Sequence, residues 1–495
     1  MTIAETALSN EEQLKKPKII VVGAGTCGLR AAEVLIRAGC DVQVLEARDR
    51  IGGRIATSSK LGLPLDLGAN WIHGDQGNPI IAIAEKAGSS YTAEELDDTV
   101  VYAPDGTLLS KRLGEELVTR MWNYFEDGIE HSEQNFATIK PNISFGEYYR
   151  ARINEECEDK TIKVYQTEVM EIMGAIVAMG IQKQDLKNLY LEKPIPGGDV
   201  FLSSTYGPVM ELMAKTVREN GCLQLSTPVE RVETVHTASG PLHGVHTKDG
   251  NIHKADGVLV TIPLGALKQD RVTFNPPIPE QIRQSIKHLG YGSLEKTYIS
   301  FPTAFWADGP SYFVFLAPEY AVTTNTERKP LTAISLAHLP ALHNQPTLLF
   351  YTHSDISKYI TDILQTETPA FARDKILAFF EPYYSRLPNY SSEDPACVPV
   401  DFISTNWLND EYAGNGSYTN FPVGLVDGAE DIKVIREGVP GQRLWFCGEH
   451  TAPLLGLASV SGAYWAGEGT ARKCLVEFGM MDEEEERALR VEDLI

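Results

Sequence analysis

Glycines at positions 23, 25 and 28 and a carboxylate at 46 form the part of this sequence with the clearest chemical purpose. Gly23, Gly25, Gly28 and Glu46 have the spacing of a dinucleotide-binding turn, in which an acidic residue follows about 20 residues on. Gly23 permits the tight turn, Gly25 lets the backbone approach a pyrophosphate, and Gly28 lets helix and strand pack closely. Glu46 would accept hydrogen bonds from the adenosine ribose hydroxyls, and its charge disfavours the 2′-phosphate of NADP. Glycines so spaced also occur as plain turns, so the flanking elements decide. KIIVV before Gly23 reads as an apolar strand, LRAAEVLIRAG has helical periodicity, and VQVLE is a second strand ending at Glu46. The helix N-terminus would face the anion.

A second glycine pair and a cation follow at once, Gly52-Gly53-Arg54 within LEARDRIGGRI. An NAD dehydrogenase has no use for them. A flavin dinucleotide does, because its second phosphate and ribityl chain run past the first helix and call for further close backbone approaches and a positive charge. This run resembles the flavin-dependent amine oxidase family, which includes monoamine, polyamine and L-amino-acid oxidases and histone lysine demethylases. The resemblance recurs in DLGANWIHG, PVERV, VLVTIPLGAL followed by FNPPIP, Lys296, WLNDEYAGNGSYTNFPVG, FCGEHT and SGAYWAG.

The resemblance implies an α/β fold: a Rossmann-like FAD-binding domain of the GR2 type interleaved with an α+β substrate domain of mixed sheet and helices. Residues 1–90, 200–290 and 400–495 are assigned to the first, and 91–199 and 291–399 to the second. It implies FAD contacts from Gly23, Gly25, Gly28, Glu46, Arg48, Gly53, Arg54, Gly68, Ala69, Asn70, Trp71, Val229, Trp407, Gly448, Glu449, Ser459 and Val460. Lys296 matches the lysine that reaches flavin N5 through a water, Trp407 and Tyr418 the aromatic pair flanking flavin and substrate, and His73 a cleft histidine of several polyamine oxidases. Ser459 stands where monoamine oxidases complete an aromatic cage with a second tyrosine, so a long or branched aliphatic amine or a polyamine is favoured over a small arylalkylamine. AGNGSY lacks the cysteine to which monoamine oxidases attach flavin, so FAD is expected without a covalent link. The expected reaction is oxidation of an amine with dioxygen, giving an imine that hydrolyses to aldehyde or ketone, and hydrogen peroxide. An L-amino-acid oxidase and a non-catalytic flavoprotein scaffold are the alternatives.

Elsewhere the elements are coarser. Helical spacing runs from about 110 to 192, and strands return in CLQLSTPVERVETV and DGVLVTIP, with Asp249-Gly250 as a hairpin turn. In EKTYISF the alternation puts Lys296, Tyr298 and Ser300 on one strand face and Thr297, Ile299 and Phe301 on the other. A strand at RLWFCGEHT precedes a helix beginning near Gly462. A formal charge of −23 argues against nucleic acid and anionic membranes as partners. The apolar run Ile172 to Ile181 is about half the ~20 residues a membrane helix needs. The first 18 residues read as a disordered leader, the acidic C-terminus as a solvated helix or disordered end, and the seven scattered cysteines as free thiols without a metal site. These features point to a cytoplasmic protein. Dimers are common in such families, which makes a homodimer an option.

Overall fold

The computed structural model describes residues 16–93, 99–238, 240–306, 310–439 and 441–489. Most of the expected leader and the end of the acidic tail lie outside them; within the tail, Glu483–Ala488 is helical.

The strand Lys18–Val22 is the middle of a five-stranded parallel sheet in the order Leu444–Phe446, Gly257–Val260, Lys18–Val22, Asp41–Leu45, Leu223–Gln224. Both faces of this strand are covered, which is why its residues are apolar without alternation. Ile19 and Val21 pack toward the helices Thr26–Arg37, Gly207–Glu219 and Val460–Glu477, while Ile20 and Val22 join the core on the other side. Thr26–Arg37 starts directly after the glycine turn, as expected of a βαβ unit. The antiparallel ladder from Gly240–Thr247 to Ile252–Ala255 contains the expected turn, with Gly250 at φ +86°.

A six-stranded mixed sheet has the order Asp401–Ser404, Leu294–Ser300, Thr347–His353, Leu331–Ser335, Tyr312–Phe315, Thr99–Tyr102. Its pairings are antiparallel except that of the last two strands. One face carries Ile299, Phe313, Phe315 and Phe350 into an aromatic core beneath the helices Ser354–Thr366 and Pro369–Tyr384. The opposite face carries Lys296, Tyr312, Val314 and Tyr351 toward a large cavity. The alternation expected for Leu294–Ser300 is therefore present.

The helical region is shorter than its periodicity predicts. Helices Lys111–Asn135, Phe145–Glu156 and Lys160–Glu171 are followed by short 3₁₀ turns at Ile172–Ala175 and Leu189–Glu192, and Ala178 has φ +51°. The chain unwinds because its carbonyls are taken by side chains from elsewhere. The Tyr418 hydroxyl is 2.8 Å from the Ala175 carbonyl and 2.9 Å from that of Ile176, and Asn420 donates to Val177 at 3.1 Å. Among the described residues no helix is long and apolar enough to cross a membrane. All seven cysteines are free.

Candidate active site

A cavity of about 800 Å³ spans the parallel sheet and the mixed sheet. Every residue named from the sequence for cofactor or catalysis lines it except Gly28. Gly28 lies behind the wall and serves packing: a Cβ there would come within 2.1 Å of the Gly23 carbonyl oxygen. Gly23, at φ +111°, also faces Thr261, whose Oγ1 would be 2.6 Å from an added Cβ. Gly25 has open space instead, with nothing nearer than 4.0 Å, so the floor of the turn is bare backbone.

Glu46 ends its strand buried, accepting the Ala24 amide at 2.7 Å on one oxygen and the Arg48 amide at 2.8 Å on the other. Each oxygen keeps a lone pair for another donor. Arg48 pairs with Asp410 at 2.7 Å. Arg54 crosses the cavity wall to Glu449 at 2.9 Å and to the Ser417 carbonyl at 2.7 Å, while Thr419 donates its hydroxyl to Glu449 at 3.1 Å. Gly68 permits the segment after Asp66 to lie against the Arg54 backbone, where a Cβ would be 1.8 Å from the Arg54 carbonyl oxygen. Ser459 uses its hydroxyl to cap the helix Val460–Glu477, accepting the Gly462 amide at 3.0 Å and donating to Gly456 at 2.6 Å. The cap aims the first turn, with Val460, at the cavity.

In the other part of the cavity Lys296 is buried and donates to the Gly68 carbonyl and to the Asn70 side chain, with the Asp66 carbonyl at 3.4 Å. Burial pulls the ammonium below the ordinary lysine range, and Asp66 opposes that fall. Trp407 is fixed by its indole N–H on the Leu67 carbonyl at 3.1 Å. Tyr418 is held by its hydroxyl at the unwound segment, and burial raises its pKa. His73 is half-exposed at the cavity wall, its Nδ1 2.7 Å from Asp199. Burial works against the Asp199 charge, but His73 and the Gly74 amide hold its carboxyl below the ordinary value.

Val118, Met121, Trp122 and Phe125, spaced to share one face of Lys111–Asn135, supply an apolar wall. Against it stands Glu192, partly buried and lining the cavity, with Gln184 at 3.4 Å. Burial raises its carboxyl to about 8. Sequence reasoning missed Glu192, Asp66, Tyr351 and Asp199. Asp66 stood inside DLGANWIHG and could have been noticed there; Glu192 had only its place at the end of an apolar stretch.

The family model for flavin containing amine oxidoreductase matches residues 26–475. This chain belongs to that family. It is 27% identical over 483 residues to polyamine oxidase 2 of Arabidopsis thaliana, covering 94% of this chain and 91% of the relative. It is 26% identical to the probable polyamine oxidase 4 of the same plant, over 96% of this chain and 89% of the relative. A solved structure of a putrescine oxidase double mutant shares its fold, with TM-score 0.70 and 20% identity over 93% of this chain and 99% of the other.

The protein is thus an FAD-dependent amine oxidase with a Rossmann-like α/β fold, acting on an amine with oxygen. Its residues fit the cofactor: one cavity joins a bare glycine turn and a carboxylate with free lone pairs to a buried lysine and two aromatic rings, as an extended dinucleotide requires. FAD, when bound, supplies the two-electron acceptor and passes the electrons to dioxygen as hydrogen peroxide. The chain supplies binding, dryness and proton control. An alkylamine is mostly ammonium near neutral pH, and only the free base can give up hydride, so the apolar wall favours the reactive form by excluding water.

Proposed function

We propose that this amine oxidase acts on aliphatic primary amines or polyamines, with a polyamine as the better substrate. The observation that carries this is Glu192, a partly buried carboxyl that lines the substrate cavity opposite the apolar residues Val118, Met121, Trp122 and Phe125. A monoamine has no use for it. A second ammonium on the same molecule does, because a buried charge needs a partner. The names of the relatives, polyamine oxidases and putrescine oxidase, support the same class. An amino-acid substrate is disfavoured: the arginines lining the cavity are Arg48, Arg54 and Arg271, and they are paired with Asp410, Glu449 and Glu411.

In this reading the reacting amine lies between Trp407 and Tyr418, near Lys296, and the substrate's distal cation lies toward Glu192. Lys296 holds or moves a proton beside the flavin, and His73 with Asp199 presents a polar group at the cavity wall. Gly23, Gly25, Glu46, Arg48, Gly53, Arg54, the Gly68 to Trp71 segment, Val229, Gly448, Glu449, Ser459 and Val460 hold FAD; the strand Asp401–Ser404, assigned from the sequence to the FAD domain, lies at the edge of the mixed sheet. The bond to FAD is non-covalent, since residues 413–418 carry no thiol. The seven free cysteines support a cytoplasmic setting. Peroxide release across monoamines, diamines, polyamines and amino acids tests the substrate class. Turnover with polyamines and aliphatic amines is expected, and turnover confined to amino acids would overturn it.

A further inference from the structure

Lys296 does not stand alone in its dry pocket. Asp66 is 2% exposed, and both its oxygens face the Tyr206 amide, at 2.9 and 3.2 Å. No cation lies within salt-bridge distance of this carboxylate among the described residues. The Lys296 ammonium reaches the Asp66 main-chain carbonyl at 3.4 Å, and Tyr298 donates to the same carbonyl at 2.6 Å. Two buried ionisable groups, one acid and one base, thus lie beside each other through the Asp66 main chain without a direct ion pair.

Building on the role given to Lys296 above, we propose that Asp66 is a positioning residue that sets the protonation of Lys296, the two forming one coupled proton-holding pair. Taking either charge out of water is costly, and the two charges lower each other's cost, so the pair gains and loses charge together. Burial drives the Asp66 carboxyl upward and the lysine downward, while each charge opposes the shift of the other.

The other groups around Lys296 leave this role to Asp66. Glu295 is on the opposite strand face, where Thr405 donates its hydroxyl to the carboxylate and Leu408 its amide, at 2.9 Å. From Thr347–His353, Tyr351 presents its ring 5.7 Å from the ammonium and donates its hydroxyl to Asn70 at 3.0 Å. Tyr298 and Tyr206 are buried phenols that stay neutral, their pKa raised by burial, and Tyr206 donates to the Trp71 carbonyl at 2.7 Å. Asp66 is therefore the buried acid carried by the same residue whose main-chain carbonyl holds the lysine.

The test uses the FAD-loaded enzyme. Asp66→Asn keeps an acceptor for the Tyr206 amide but removes the charge, so Lys296 loses its proton more readily. The limb of the stopped-flow pH profile that Lys296→Met abolishes should move to lower pH by about one unit or more, and Asp66→Glu should restore most of it. A limb that stays in place in Asp66→Asn overturns the proposal. Coupling is reciprocal, which supplies a second measurement that does not depend on Asp66→Asn retaining FAD. Difference infrared spectra of Lys296→Met should show the protonated-carboxyl band of Asp66, identified by its shift in Asp66→Glu, persisting to higher pH than in the native protein. An unchanged midpoint overturns the coupling. If Lys296→Met leaves both flavin half-reactions untouched while that midpoint moves, the coupling stands and the assigned role of Lys296 fails.

Discussion

Replacing Glu192 by Gln separates a polyamine oxidase from an oxidase of simple amines. Desolvation raises the carboxyl to about 8, so at pH 7 it is mostly protonated in the free enzyme. Binding a distal ammonium must first ionise it, at about 1.4 kcal/mol for the one-unit gap. Removing one partner of a buried charge pair costs about 3–5 kcal/mol. The difference, about 1.6–3.6 kcal/mol, corresponds to a fall of roughly 15- to 400-fold in kcat/KM for a diamine or polyamine. A monoamine of matched chain length lacks the second charge and should change by less than about 3-fold. Raising the pH toward 8.5 should improve the native enzyme on diamines more than on monoamines, and Glu192→Gln should lose that difference. Initial rates of oxygen consumption over pH 6–9 measure all of this. Equal losses for both substrate types would refute the reasoning, since Glu192 would then act on the reacting amine or on the fold.

Lys296→Met should bind FAD and remain yellow, yet slow flavin reduction or reoxidation by about 10²-fold or more, the usual scale for a proton-handling group; stopped-flow absorbance resolves the two steps. Gly28→Val should yield protein without bound flavin, because the new side chain begins 2.1 Å from the Gly23 carbonyl oxygen and must displace the glycine turn proposed to hold the pyrophosphate; the visible flavin absorbance measures it. Acid precipitation should release all the flavin into the supernatant, and flavin left in the pellet would point to a covalent link. Glu192→Gln should also change stability with pH. The native carboxyl has its folded pKa raised from 4.5 to about 8, so its contribution is intact below 4.5 and is lost as pH rises toward 8. Relative to native, the variant's Tm should therefore gain on the order of a few degrees between pH 5 and 8.5, and thermal melts at the two pH values decide it.

The parts legible in the sequence are those whose physics is local. Gly23, Gly25, Gly28 and Glu46 occupy one βαβ unit, where turn, helix and strand succeed each other along the chain. Lys296 was placed on the correct strand face because side chains alternate across a strand. What escaped were pairings between distant segments: Arg54 with Glu449, His73 with Asp199, Lys296 with the Asp66 segment. No spacing rule encodes those. The helical spacing read up to about residue 192 departs from the structure for the same reason, since the α-helix ends at Glu171 where Tyr418 and Asn420 bond the carbonyls that follow. Glu192 is legible only once the fold brings it to the cavity wall, because a lone carboxylate in a sequence reads as surface.

The central claim is that a flavin bound in this cavity takes electrons from a multiply charged aliphatic amine. Anaerobic mixing of the purified yellow protein with a polyamine, followed at the flavin absorbance band, tests it most directly. The band should bleach within the lifetime of a turnover and return on admission of oxygen, with stoichiometric hydrogen peroxide. A protein that takes up no FAD, or whose flavin keeps its colour with every amine and bleaches only with an amino acid, would contradict it.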